Sequence, residues 1–239
     1  MVNAEHYDEL IEFASRPPDT DATVSGLARL AAGGRALELG VGTGRIAISL
    51  ATAGIEVQGI EIDPAMAEQL RAKPGGRHVG VHLGDMVDVD VDGAFTLVYA
   101  VFGTLFMLDT QDAQVRCVRN VARHLMPGGK FVVEALVPRP VTYTDDQKVT
   151  AVHADADLVV INVSRHEPVE QVVTTHQLLL RPSGADILPV RIRYTWPTEL
   201  DLMARLAGLE LIARWSDWDG RPFEANDPPH ISIYGPAGT

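Results

Sequence analysis

Positive charge is scarce in this chain: 20 Lys and Arg against 32 Asp and Glu in 239 residues leave a formal net charge of -12. That field repels phosphate backbones and anionic lipid surfaces, so neither nucleic acid nor a membrane surface is expected as a partner. Cysteine is nearly absent as well. Cys117 stands alone, cannot form an internal disulfide or a thiolate zinc site, and falls in a helical pattern that makes it a small core residue. No apolar run approaches the roughly 18 residues of a membrane span, and the stretch MVNAEHYDELIEF is acidic where a secretory leader starts basic. A cytoplasmic protein is the expectation. Also missing are a Gly-x-Ser-x-Gly elbow, a Walker lysine and any His, Cys, Asp and Glu cluster with metal-ligand spacing, so no metal is expected.

What is present is an ordinary globular composition, 46% hydrophobic and 22% charged, with a regular grammar. Helical spacing over Ala4 to Ser15 stops before Arg16-Pro17-Pro18, and a second helix runs from an Asp19 or Thr20 cap to Gly33-Gly34. Short apolar strands then alternate with helices. Ala36 to Leu39, Glu56 to Ile60, His78 to Leu83, Phe95 to Val101 and Lys130 to Val137 read as strands; Arg45 to Ala53, Pro64 to Lys73 and Gln111 to Leu125 read as helices. Such alternation predicts βαβ units and a parallel sheet covered on both faces. After Pro138 the pattern changes to strands at Val149 to His153, Leu158 to His166, Val169 to Leu180 and Val190 to Tyr194, followed by a helix from Pro197 to Ala207 and strands at Leu209 to Trp215 and His230 to Tyr234. Short turns between consecutive strands predict an antiparallel insertion. One domain over 1–239 is expected, divided into an N-terminal helical lid (1–34), a core (35–137), the strand insertion (138–195) and a returning core segment (196–239).

The most informative stretch is Leu37-Glu38-Leu39-Gly40-Val41-Gly42-Thr43-Gly44-Arg45, between the first strand and a helix. Three glycines there let the backbone turn sharply and approach an adenosine-like ligand at the carboxyl edge of the sheet. A dinucleotide fingerprint requires a glycine where the chain has Arg45, which counts against a nicotinamide-dependent oxidoreductase on the same fold. The acidic residue Glu38 followed by Gly-x-Gly-x-Gly instead resembles motif I of the class I S-adenosylmethionine-dependent methyltransferases. Further matches follow in order: Gly59-Ile60-Glu61-Ile62-Asp63-Pro64, Gly84-Asp85-Met86, Phe95-Thr96-Leu97-Val98-Tyr99-Ala100 and Leu125-Met126-Pro127-Gly128-Gly129-Lys130.

The resemblance implies a Rossmann-like, doubly wound α/β fold whose mostly parallel sheet has seven strands, with the antiparallel insertion after the fifth. It also implies S-adenosylmethionine as cofactor, with Glu38, Gly40, Gly42 and Gly44 around its methionine part, Glu61 at the ribose, Ile62 on the adenine, Asp85 and Met86 at the adenine edge, and Tyr99 or Ala100 near the sulfonium. Tyr7 would be a lid contact. Phe102 and Phe106, directly after the fourth strand, are expected as pocket wall. The region Val101-Phe102-Gly103-Thr104 lacks the Asn/Asp-Pro-Pro-Tyr or Phe signature of enzymes that methylate planar amines in bases or protein side chains, which leaves a small-molecule acceptor, through oxygen or nitrogen; the strand insertion resembles that of bacterial sugar N-methyltransferases and other natural-product enzymes. A hydroxyl acceptor requires a general base. His153, His166, His176 and His230 are the weak candidates, and a protein that binds the cofactor without catalysis is the other alternative. Exposed strand edges in the insertion suggest a homodimer.

Overall fold

The computed structural model describes residues 19–136, 143–224 and 229–238. The expected helix over Ala4 to Ser15, with Tyr7, lies outside them. Helix α1 (Thr20–Ala31) starts where Asp19 accepts the Ala22 N–H at 2.9 Å, and it ends on Ala32 in the left-handed region. Its buried face includes Leu27 and Ala31. Strand β1 (Ala36–Leu39) follows and is buried at every position.

The remaining elements of the main sheet are α2 (Arg45–Thr52), β2 (Val57–Glu61), α3 (Pro64–Ala72), β3 (Gly80–Leu83), β4 (Phe95–Ala100), α4 (Gln111–His124) and β5 (Leu125–Leu136). The chain then forms β6 (Gln147–Ala154), β7 (Val159–Glu167), β8 (Val172–Arg181) and β9 (Gly184–Arg193), and closes with α5 (Pro197–Leu206), β10 (Leu209–Trp215) and β11 (Pro229–Pro236). The seven-stranded sheet has the order β10-β11-β5-β4-β1-β2-β3, and within it only β11 runs against its neighbours. Its order reverses between β1 and β4, which places a crevice at their carboxyl ends. The strands β6-β7-β8-β9 form a separate antiparallel sheet after the fifth strand.

Alternation along the strands divides the core into two layers. Leu37, Leu39, Val98, Phe131 and Val133 pack with Cys117, Val118 and Val121 of α4 and Leu200 and Met203 of α5. Ala36, Leu97, Tyr99, Val132 and Ile231 pack on the other face with Leu27 of α1, Ile46 and Leu50 of α2 and Leu70 of α3. Cys117 has no exposed surface, and burial pushes its thiol up to about 12.

A buried polar joint ties the second sheet to the first. Arg193, at the end of β9, donates to Gln114 Oε1 of α4 at 2.6 Å and to Glu199 Oε1 of α5 at 2.8 Å. Gln114 returns a bond from its amide to the Arg193 carbonyl, and Gln171 donates to the other Glu199 oxygen, both at 2.7 Å.

Two strands depart from expectation by more than three residues. Pro127 to Gly129, which the sequence pattern leaves as a turn between the helix ending at Leu125 and the strand starting at Lys130, lie inside the continuous strand β5, accommodated by a register shift where Phe95 pairs with Leu125 but Leu97 with Lys130. Strand β9 begins at Gly184, six residues before the expected start, because Pro189 sits on the edge strand of its sheet, where a missing N–H is tolerated.

Candidate functional site

At the carboxyl end of β1 the chain passes through three left-handed glycines, Gly40 (φ 62°), Gly42 (φ 56°) and Gly44 (φ 85°), before α2 begins. A Cβ on Gly40 would lie 2.6 Å from Cγ2 of Thr104, and one on Gly44 2.7 Å from Cγ of Leu70, so both positions are closed to any side chain. The loop is braced from the next strand. Glu61, at the end of β2, accepts the Gly42 N–H on Oε2 at 2.7 Å and the Asp63 N–H on Oε1 at 2.9 Å. The end of the adjacent strand β3 is held too, because the Gly84 N–H donates to the Glu61 carbonyl at 2.9 Å.

Glu38 lies beneath the loop with 5% of its surface exposed. The Tyr99 hydroxyl donates to its Oε2 at 2.9 Å. Burial pushes the Glu38 carboxyl up to about 8, against the lowering effects of the Tyr99 hydrogen bond and the Arg45 guanidinium. Tyr99 is raised well above its ordinary value by burial and by the adjacent carboxyl. Among the described residues no cationic group hydrogen-bonds to either member of the pair.

A profile described as a methyltransferase domain matches residues 36–129. The CcbJ methyltransferase from Streptomyces caelestis is 38% identical, with 98% of this chain and 96% of that chain covered at a TM-score of 0.92. The chain belongs to the class I S-adenosylmethionine-dependent methyltransferases. Among curated relatives of this methyltransferase, a cypemycin N-terminal methyltransferase from Streptomyces sp. is 28% identical over 193 residues, 79% of this chain and 78% of its own. A dTDP-4-amino-2,3,4,6-tetradeoxy-D-glucose N,N-dimethyltransferase from Saccharopolyspora spinosa is 34% identical over 99 residues, 41% of this chain and 39% of its own.

The residues at the crevice fit the methyl donor that this family uses. Each Glu61 oxygen accepts one backbone N–H and keeps a lone pair, which suits two ribose hydroxyls. The buried acid at Glu38, which makes no ion pair among the described residues, suits the cationic methionine part. Ile62 is 63% exposed at the end of β2, an apolar side chain with a free face of the kind an adenine ring covers. Asp85 is exposed and accepts the Val87 N–H at 2.9 Å on one oxygen, while Met86 is half-buried against the core.

Other expected site residues fall elsewhere in the methyltransferase. Tyr99 and Ala100 have no exposed surface, and Tyr99 meets Glu38 from inside the core. Phe106 is buried in the α4 and α5 layer, whereas Phe102 is 38% exposed at the carboxyl edge. His153 is partly exposed on β6 and bonded to Asp155 at 2.7 Å, and His176 is exposed on β8. His166 is buried with Nε2 on the Tyr194 hydroxyl at 2.8 Å. His230 is fully buried beside Ala135 of β5; its Nδ1 meets Ser232 Oγ at 2.8 Å and its Nε2 has no partner among the described residues. Burial lowers His230 to about 4. Among the described residues no group of His, Cys, Asp and Glu could hold a metal ion, and no helix is long and apolar enough to cross a membrane.

Sequence reasoning overlooked one residue at this edge. Glu134 of β5 accepts the Phe102 N–H on Oε2 at 2.9 Å, and its carbonyl accepts the Gly103 N–H at 3.1 Å. The available signal was a single carboxylate in an otherwise apolar strand, Phe131-Val132-Val133-Glu134-Ala135-Leu136.

Proposed function

We propose that this methyltransferase acts on an amine nitrogen of a small natural product. S-adenosylmethionine, when bound, supplies an electrophilic methyl on a sulfonium. The chain's own residues then have three tasks: Glu61 and the glycine loop fix the ribose and methionine ends, Glu38 balances charge, and Phe102 with the edge of β4 and β5 keeps water from the approach line. A neutral amine attacks without further activation, whereas a hydroxyl requires a base poised near neutral pH.

The observation that carries the choice of nitrogen is that both curated relatives have N-methyltransferase names, one for a peptide amino terminus and one for an amino sugar. His230, fully buried beside the end of β5 and lowered to about 4 by desolvation, adds no base for a hydroxyl acceptor. The net charge of -12 suits a neutral or cationic acceptor of that kind. The test is transfer of labelled methyl to an amino-sugar nucleotide, a short peptide with a free amino terminus, and the hydroxyl analogue of each. Label is expected in amines alone; label in a hydroxyl analogue but in neither amine overturns the reading.

The Arg193 joint supports treating the strand insertion as part of one domain with the main sheet. A homodimer is supported by exposed apolar side chains on one face of the second sheet, where Val149 pairs with Val163 and the same face carries Leu180 and Ile187. A cytoplasmic site of action follows from a co-substrate made inside cells.

A further inference from the structure

The turn after β4 has a backbone that a phenylalanine adopts at a cost. Phe102 has φ 56°, in the left-handed region, and Gly103 follows at φ 74°. For a bulky residue without a compensating contact this conformation is rarely populated. The compensation comes from across the sheet, because Glu134 takes both the Phe102 and the Gly103 N–H groups, one on its carboxylate and one on its carbonyl. Two contacts follow from the turn so held. The Phe102 ring lies under the Arg45 guanidinium at 5.5 Å, at the first residue of α2, and Arg45 is itself tied to Thr20 Oγ1 of α1 at 3.0 Å. Thr104, whose hydroxyl donates to the Val101 carbonyl at 2.8 Å, fills the space that a side chain at residue 40 would need.

We propose that Glu134 is a positioning residue for the cofactor loop, acting through Phe102. Its carboxylate keeps the 101–104 turn wedged between Gly40 and Arg45, so that the glycine loop is braced from β5 as well as from Glu61. The role needs a hydrogen-bond acceptor and no charge, because the group it meets is a neutral amide. It is independent of which acceptor the enzyme methylates.

The test uses S-adenosylhomocysteine binding by calorimetry, with amide hydrogen exchange at Phe102 and Gly103 as a second readout. Glu134→Ala is expected to weaken binding by up to about tenfold, the upper end for losing one hydrogen bond, here to a strained turn, and to speed exchange at both amides. Glu134→Gln retains an acceptor oxygen and is expected to stay within about threefold of the parent. Phe102→Gly removes the backbone strain, so adding Glu134→Ala to it is expected to change affinity by less than about twofold. The comparison of Phe102→Gly with the double variant decides the matter even where Glu134→Ala alone does not fold. Unchanged affinity in Glu134→Ala, an equal loss in Glu134→Gln, or full additivity in the double variant would each overturn the proposal.

Discussion

Tyr99 donates its hydroxyl to Glu38 at 2.9 Å from inside the core, and this neutral phenol is the carboxyl's side-chain hydrogen-bond partner. The pair leaves an acid held near 8 directly beneath the cofactor loop. In the unfolded chain the same carboxyl titrates near 4.5. Between those values the folded state binds more protons than the unfolded state, so Glu38 makes stability fall as pH rises from about 4.5 to about 8.

Glu38→Gln is therefore expected to raise the thermal midpoint of the ligand-free protein at pH 8 and to change it little at pH 4.5. The difference is on the order of a few kcal/mol at the alkaline end. Thermal unfolding across that range checks it, and a variant that is destabilised equally at both ends contradicts the assignment.

Binding of a cation next to Glu38 should ionise it. Calorimetric titration of S-adenosylmethionine at pH 7, in buffers of different ionisation heat, is expected to show release of nearly one proton per site, abolished in Glu38→Gln. A proton count unaffected by the substitution would place the cationic end of the ligand elsewhere.

At the ribose end, Glu61→Ala removes two charge-assisted bonds to backbone N–H groups as well as the proposed ribose contact. S-adenosylhomocysteine affinity is expected to drop by about 1–3 kcal/mol or more. Retained affinity, or preferential binding of NAD in the same titration, refutes this placement.

His230 has the opposite pH signature. Its folded value of about 4 lies below the ordinary 6.5, so the unfolded state binds the extra proton and stability falls as pH drops through that window. His230→Phe is expected to flatten stability between pH 6.5 and 4, measured by urea unfolding, while leaving S-adenosylhomocysteine binding unchanged.

The homodimer reading is checked by light scattering after size exclusion. The parent is expected at twice the chain mass of 25.9 kDa, and Ile187→Glu together with Val149→Lys at the single mass. A monomeric parent at micromolar concentration removes the proposal.

Much of the candidate cofactor site's geometry was legible because it depends on residue types that have few other uses in that place. Left-handed turns select Gly40, Gly42 and Gly44, and a carboxylate at the end of a buried strand is rare unless it meets donors, as Glu38 and Glu61 do. Tyr99 was harder, since its role depends on which face of β4 it takes; alternation with Leu97 and Val101 sets that face once the strand is known. Phe106 looked like pocket wall by proximity to β4, but the 3-10 turn at Thr104–Met107 turns it into the core. Glu134 was hidden because its partner is a backbone N–H, and no side-chain pattern reports where a neighbouring strand's amide will stand.

The bond from Gly42 to Glu61 constrains how this site can change through evolution. In a fold shared with nicotinamide enzymes, acceptance of a phosphorylated ribose comes by placing an arginine near the end of the second strand. Here an arginine at residue 61 would have no acceptor oxygens for the Gly42 and Asp63 amides, and the loop would lose its brace in the same step. Under the proposed placement of the ribose at Glu61, the brace and the ribose contact share one side chain, and a lineage that replaces it must first find another support for the loop.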